Sequence, residues 1–196
     1  MKGKNSSRTS DSCVVETIIR PAVIADVSGI MAIMQPYIDE DILLPVSFYR
    51  LFEQIRYFVV AERDGELVGC GSLVIVWHDI AEIRSLAIQR GCQGGGIGRR
   101  IVKTLLMEAE ELGIGRVFAL TYETDFFSRN GFQVVERETL PHKVWKDCTH
   151  CARFTHCDEI AMAITLIPEG QRPPQNDLPE MQQDPTLIMP SPAPSL

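Results

Sequence analysis

The sequence lacks any apolar run that approaches the ~18 residues a membrane-spanning helix needs. It also lacks an excess of positive charge, since 19 Lys and Arg stand against 26 Asp and Glu and give a formal net charge of −7. This balance argues against a general nucleic-acid or anionic-membrane surface. The first residues, 1–13, carry no apolar stretch of the kind that begins a signal peptide. We therefore expect a cytoplasmic protein that binds neither nucleic acid nor membrane.

Two common phosphate-binding motifs are also missing, although four of the five residues 94–98 are glycine. A Walker A loop ends in Gly-Lys-Ser or Gly-Lys-Thr, whereas this stretch ends in Gly98-Arg99-Arg100. A dinucleotide fingerprint needs Gly-x-Gly-x-x-Gly, which the spacing of Gly91, Gly94 and Gly96 does not match. The glycines therefore belong to neither a P-loop NTPase nor a Rossmann dinucleotide site.

The composition is that of a globular protein, with 45% hydrophobic and 23% charged residues in a chain of 196. Residues 1–14 are polar and without pattern, and we expect a disordered arm there. Residues 168–196 are rich in proline and glutamine and cannot bury enough apolar area to offset their ordering entropy. One folded domain is therefore expected over 15–167.

Within this domain, strand-like and helix-like patterns alternate. Strands are predicted in 16–22, 57–77, 81–88, 116–121, 131–138 and 158–167, and helices in 23–40, 47–55, 99–114 and 123–130. The dipeptide Asp64-Gly65 predicts a hairpin within 57–77. Asp26 is expected to cap the first helix, and Pro36 to bend or end it. This order predicts an α/β or α+β domain around one central sheet.

The glycine stretch follows a predicted strand and precedes a predicted helix, whose N-terminal amides suit a phosphate. Here "QGGGIG", or Gln93-x-x-Gly96-x-Gly98, resembles the acetyl-CoA pyrophosphate loop of the GNAT acetyltransferase superfamily. "FFSRNGF" (126–132) and "IRPAVIADVSGI" (19–30) are similar to two further elements of that family. The resemblance covers about 18–165. It implies the GNAT acyltransferase fold, a mixed, mostly antiparallel twisted sheet flanked by helices, with acetyl-CoA as co-substrate.

A narrower resemblance concerns the acyl acceptor. "AEIRSLAI", "RVFALTYET" and "LPHKVWKDC" together look like the short bacterial N-acetylglutamate synthases, which lack an amino-acid-kinase domain. This implies acetyl transfer to the α-amine of L-glutamate, the first step of arginine biosynthesis. Dimers are common in the superfamily, so a homodimer is also an expectation. Two alternatives stay open: a GNAT enzyme for another amino acid, a polyamine or a protein, and a non-catalytic acetyl-CoA sensor.

The resemblance assigns Glu82 as the general base and Ser85 as a second catalytic position. The alternative for Glu82 is a solvated carboxylate on an edge strand. Arg84, two residues on, would share a face with Glu82 in a regular strand. It would then bind a substrate carboxylate or pair with Glu82. Ser85 would face the opposite side, so either a bulge brings both residues to one site or Ser85 is a core residue.

The remaining roles also follow from the resemblance. The expected acetyl-CoA contacts are Leu86, Ala87, Ile88, Gln93, Gly94, Gly95, Gly96, Ile97, Gly98 and Arg99. The expected acceptor contacts are Arg84, Thr121, Arg153 and Thr155, with Arg129 and Lys143 as further candidates for a carboxylate. Many family members use a tyrosine as the acid where this chain has Phe127, which cannot donate, so the acid is unassigned.

Three cysteines, Cys148, Cys151 and Cys157, cluster near the C-terminal end of the domain, with His150 and His156 between them. A Cys-x-x-Cys pair with a third cysteine and a histidine matches a structural zinc site, which would be non-catalytic here. A redox-sensitive pair and thiols without a special role are the alternatives.

Overall fold

A computed structural model of the chain describes residues 16–140, 157–168 and 171. The predicted arm 1–14 and almost all of the tail predicted over 168–196 lie outside the described residues. Within the described part, no helix has the length and apolar character needed to cross a membrane.

One seven-stranded sheet forms the centre of the domain. Its strands are β1 (Ile18–Pro21), β2 (Phe58–Arg63), β3 (Glu66–Trp77), β4 (Ile80–Ile88), β5 (Arg116–Thr121), β6 (Gln133–Val134) and β7 (Ile160–Thr165). Their spatial order is β1-β2-β3-β4-β5-β7-β6. Neighbouring strands run antiparallel except β4 and β5, which are parallel. The predicted mixed, mostly antiparallel sheet is confirmed.

The helices cover both faces of this sheet. They are α1 (Val27–Asp39), α2 (Phe48–Gln54), α3 (Ile97–Glu111) and α4 (Thr124–Arg129). Strand β2 shows the division, because Phe58 and Val60 pack with α1 and α2 while Val59 and Ala61 pack with α3. Successive strand residues point to opposite faces, so a run of four buried residues in β2 requires cover on both sides.

The predicted hairpin is confirmed at Asp64-Gly65, between β2 and β3. Both residues have positive φ, 55° for Asp64 and 79° for Gly65. Two left-handed central residues give the turn whose twist matches that of paired strands. This local chemistry was sufficient to locate the turn from the sequence.

One expectation about α1 was wrong. Asp26 stands at the N-cap position, but its carboxylate accepts hydrogen bonds from Arg20 and from the Val23 amide instead of capping α1. Pro36 was expected to bend or end the helix, and it does not end it, because α1 continues to Asp39. The strand predicted over 131–138 is shorter than expected. Only Gln133–Val134 pair with β7, and a 3₁₀ turn follows at Arg137–Thr139.

Candidate functional site

A cleft begins where the two parallel strands separate. Strands β4 and β5 pair from Ile80 and Arg116 as far as Glu82 and Phe118, and there the pairing ends. Both strands continue, β4 to Ile88 and β5 to Thr121. The diverging ends line a cavity of about 740 Å³, together with the glycine loop, α4, residues 42–44 and residues near the start of β7. The exposed edge of β4 in this cleft can offer backbone groups to a ligand.

A bulge in β4 gives this strand its shape. Cys70 pairs with Ala87 and Ser72 pairs with Arg84, so two steps along β3 match three along β4. Ser85 has a positive φ of 53°, which is uncommon for a residue other than glycine. The bulge expected from the sequence is therefore present, and both Glu82 and Ser85 line the cavity. A β-bulge is often found beside an active site, where it re-aims a side chain.

Glu82 lies at the base of the cleft. The residue is 6% exposed, and β4 is an inner strand between β3 and β5. The alternative of a solvated carboxylate on an edge strand is therefore wrong. Arg84 donates to a Glu82 carboxylate oxygen and forms an ion pair with it. Both side chains line the cavity, so a positive and a negative group meet at one point of its wall.

The backbone behind this pair is held by two side chains of β3. Ser72 Oγ donates to the Arg84 carbonyl at 3.1 Å. Cys70 Sγ donates to the Ser85 carbonyl at 3.5 Å. Burial raises the pKa of the Cys70 thiol to about 12, so it remains a neutral donor at physiological pH. These contacts satisfy carbonyls that the bulge removes from the regular ladder.

The glycine loop connects the end of β4 to the start of α3. Gly96 is the N-cap of α3 and has a φ of 76°, and Gly94 has a φ of 80°. A Cβ at either position would meet no protein atom within 4 Å, so space is available for a side chain. It is the left-handed backbone conformation that favours glycine at these two positions. Gly96 to Arg99, at the start of α3, line this part of the cavity. The first amides of a helix have no partner within the helix, so an anion would be stabilised there.

The other two glycines of the loop, Gly98 and Gly95, differ from Gly94 and Gly96. A Cβ at Gly98 would lie 3.2 Å from the ring of Phe126, so this position permits the close packing of α3 on α4. Nothing in the structure requires a glycine at Gly95, which does not line the cavity. The other predicted acetyl-CoA contacts all do: Leu86, Ala87, Ile88, Gln93, Gly94, Gly96, Ile97, Gly98 and Arg99.

The aromatic element is part of the core on this side. Phe127 is buried and makes edge-on contacts with Phe126 and Phe132, at ring-centroid distances of 5.2 and 5.1 Å. The neighbouring Tyr122 lines the cavity, and its hydroxyl donates to Asp158 at 2.7 Å. Thr121 is also buried at the cavity wall, where its hydroxyl oxygen accepts the Glu123 amide at 2.9 Å.

The cavity lining also holds charged side chains that the sequence only partly indicated. Arg129 was a predicted candidate for a carboxylate contact, whereas Arg137 was not. The Arg137 guanidinium donates to the Glu159 carbonyl at 2.5 Å and to Cys157 Sγ at 3.1 Å. These contacts join the turn after β6 to the segment before β7. No sequence pattern singles out Arg137, because its position depends on pairing between strands distant along the chain.

Several predicted residues cannot be placed. Arg153, Thr155, Lys143, Cys148 and Cys151 lie within 141–156, outside the described residues. Of the cysteine cluster, Cys157 alone is described, and it lines the cavity. No group of three His, Cys, Asp or Glu side chains among residues 16–140 and 157–168 is arranged to hold a metal ion.

Comparison with known proteins gives concordant matches. The model of the acetyltransferase (GNAT) family matches residues 30–132. An uncharacterized N-acetyltransferase of Chlorobaculum tepidum is 40% identical over 151 residues, 77% of this chain and 97% of that protein. An amino-acid acetyltransferase of Mycobacterium tuberculosis is 38% identical over 133 residues, 66% of this chain and 76% of that protein.

A solved structure shares the architecture. N-acetylglutamate synthase of Neisseria gonorrhoeae, complexed with coenzyme A and N-acetyl-glutamate, superposes with a TM-score of 0.71 at 31% identity. The match covers 78% of this chain and 36% of that chain, so the present protein spans about a third of the longer synthase. These matches agree with the fold, in which β4 and β5 separate and the glycine loop precedes α3. The chain belongs to the GNAT family of acetyltransferases.

Proposed function

We propose that the protein transfers the acetyl group of acetyl-CoA to the α-amine of L-glutamate, giving N-acetylglutamate and CoA. The observation that carries this proposal is the position of Glu82. It is a buried carboxylate paired with Arg84, in the wall of a cavity that is also lined by the glycine loop and by further arginines. A base, a cation for a carboxylate and an anion-binding loop therefore face one space.

The glycine loop and β4 would hold acetyl-CoA. The amides of the first turn of α3, with Gln93, Gly94 and Gly96, would bind the pyrophosphate, since a helix N-terminus stabilises negative charge. The exposed β4 edge, at Leu86 to Ile88, would pair with the amides of the pantetheine arm. Bound in this way, the thioester would point toward the bulge at Ser85, and its carbonyl would lie within reach of Glu82.

The chemistry is a direct transfer. An α-amine is mostly protonated at neutral pH, so its ammonium first gives a proton to Glu82, directly or through a water. The nitrogen lone pair then attacks the thioester carbonyl, where backbone amides would stabilise the oxyanion. The new C–N bond forms and the C–S bond breaks. The nitrogen loses a second proton as the amide forms, and the departing thiolate takes up one proton to leave as CoA.

The acceptor is proposed from charge and from the relatives. L-glutamate carries two carboxylates, and Arg84, Arg129 and Arg137 line the cavity and could pair with them. Arginine binds carboxylates with two parallel hydrogen bonds where the geometry allows. The names of two relatives, an amino-acid acetyltransferase and an N-acetylglutamate synthase, support the same choice. Arginine biosynthesis is the pathway that this activity would serve.

One observation favours a different acceptor. Glu123 and Glu159 also line the cavity, and negative side chains would attract a polyamine or another cationic amine. This second candidate keeps the same acetyl-CoA site and the same role for Glu82. It differs in the charge that the acceptor presents to the cavity wall.

An acetyl-CoA turnover assay that follows thiol release distinguishes these acceptors. The panel would hold L-glutamate, L-aspartate, L-glutamine, L-arginine and spermidine. The proposal predicts turnover with L-glutamate well above that with the other acceptors. Preferential turnover of spermidine would establish the cationic alternative. Measurable CoA binding without turnover of any acceptor would contradict both and favour a sensor.

A further inference from the structure

A chain of hydrogen bonds connects α1 with the glycine loop at the end of β4. The Tyr37 hydroxyl donates to the Ile88 carbonyl at 2.5 Å. Gln93 Nε2 donates to the same hydroxyl at 2.8 Å. Ile88 is the last residue of β4, and Gln93 begins the Gln-x-x-Gly-x-Gly motif. One phenol therefore joins the end of the strand to the start of the loop, although Tyr37 lies 51 residues before Ile88 in the chain.

The ring of Tyr37 is itself held in place. The Arg90 guanidinium carbon lies 4.6 Å from the centre of the ring, in a cation–π arrangement. Arg90 also pairs with Glu40, which follows α1 directly. A phenol can donate one hydrogen bond and accept others, and Tyr37 does both here. Its hydroxyl orientation is therefore fixed by two partners and its ring by a third.

Tyr37 borders the cavity beside the residues to which acetyl-CoA is assigned above. The half-buried phenol makes its two hydrogen bonds to Ile88 and Gln93, both of which line the cavity with it. Without these bonds, the end of β4 and the loop would each have to be ordered when the ligand arrives. A site ordered in advance binds more tightly because less conformational freedom is lost on binding.

We propose that Tyr37 is a positioning residue of the acetyl-CoA site, which sets the relative geometry of the β4 end and the glycine loop before the ligand binds. This inference rests on the proposed assignment of that site to acetyl-CoA. Tyr37 acts through Ile88 and Gln93, and it takes no part in the transfer of the acetyl group. Its loss should therefore change the binding of acetyl-CoA and leave the chemical step intact.

The substitution Tyr37→Phe removes the hydroxyl and keeps the ring beneath Arg90. The loss of the hydrogen bonds to Ile88 and Gln93 should raise the Kd for CoA by about 5–20-fold. At saturating acetyl-CoA, kcat and the KM for the acceptor should stay within about twofold of the wild-type values. The matched control is Tyr57→Phe, because Tyr57 lies in a 3₁₀ helix away from the cavity lining. This control should leave the Kd for CoA unchanged.

Isothermal titration with CoA measures the Kd of the wild type, Tyr37→Phe, Gln93→Leu and the double variant. If Tyr37 acts partly through Gln93, the two substitutions together should weaken binding by less than the product of their separate effects. Should Tyr37→Phe fail to fold, an unchanged Kd in Gln93→Leu would still overturn the inference, because this substitution removes the hydrogen bond to the Tyr37 hydroxyl together with any direct contact of Gln93 with the ligand.

Two negative outcomes are distinguishable. If the wild type binds CoA and Tyr37→Phe binds it equally well, the positioning role is refuted while the proposed function stands. If kcat falls together with binding, Tyr37 affects more than the CoA site and the inference is also refuted. If the wild type does not bind CoA, the acetyl-CoA site itself is wrong, and the role of Tyr37 is refuted along with it.

Discussion

Replacement of Glu82 by glutamine removes the proposed base and keeps the shape of the side chain. Glutamine cannot accept the proton from the acceptor ammonium, and a positioned general base typically contributes about 10²–10⁴-fold to the rate. We therefore expect kcat to fall by at least about 10²-fold, or roughly 3 kcal/mol in the activation free energy. The KM for acetyl-CoA should change little, because Glu82 is not among the residues proposed to bind the pyrophosphate and the pantetheine arm.

The structural cost of this change is smaller than the catalytic one. Glutamine leaves the Arg84 guanidinium without its anion, and removal of one partner of a fully buried pair costs about 3–5 kcal/mol. Here the Arg84 side chain is 28% exposed, so water can hydrate it and the amide oxygen can still accept a hydrogen bond. We expect about 1–2 kcal/mol of lost folding stability. A domain with ordinary stability remains folded after such a loss.

Thiol release at saturating acetyl-CoA and L-glutamate gives kcat for the wild type and for Glu82→Gln. The control is Glu123→Gln, which neutralises an exposed carboxylate of the same cavity and should keep kcat within about threefold. Urea unfolding of each variant checks that the protein is folded at the assay temperature. Turnover by Glu82→Gln within about threefold of the wild type would remove Glu82 from the mechanism.

Two further predictions concern the glycine loop and the packing of β1 on α1. Gly96→Ala and Gly65→Ala both force alanine into a left-handed conformation, at φ 76° and 79°, in open space. Each should cost about 1 kcal/mol of stability. Only Gly96→Ala, which changes the cavity wall, should raise the KM for acetyl-CoA, and equal KM values would mean that the loop does not hold the cofactor. The hydrogen bond from Arg20 lowers the pKa of Asp26 below its ordinary 3.8, so this pair stabilises the fold above that pH and its contribution is lost as the pH falls through the lowered value. Asp26→Asn should therefore lower the unfolding free energy by about 1–2 kcal/mol at pH 7 and by progressively less below pH 4, measured with urea; a difference that does not depend on pH would contradict the charge argument.

Local patterns predicted much of this molecule. The hairpin at Asp64-Gly65, the amphipathic spacing of α3 and the glycine-rich helix start each depend on residues close together in the chain. The structure places all three as expected. The sequence indicated that a bulge was needed to bring Glu82 and Ser85 together. Its exact position could not be derived from the sequence, because a bulge is defined by the register of β4 against β3.

Features that depend on contacts between distant parts of the chain could not be derived from the sequence. Glu82 is buried because β4 lies between β3 and β5, and strand order cannot be derived from the pattern of one strand. Tyr37 and Arg137 looked like ordinary helix and loop residues. They border the cavity through contacts with Ile88 and Glu159, and the sequence carries no local signal of either contact.

The most direct test of the central claim is the rate of thiol release from acetyl-CoA with L-glutamate, compared with L-aspartate and spermidine under the same conditions. Glutamate and aspartate carry the same charges and differ by one methylene, while spermidine carries the opposite charge. The account predicts strong turnover with L-glutamate, weaker turnover with L-aspartate and little with spermidine. Turnover that is highest with spermidine, or equal for all three, would contradict the proposed pairing of the substrate carboxylates with the arginines of the cavity.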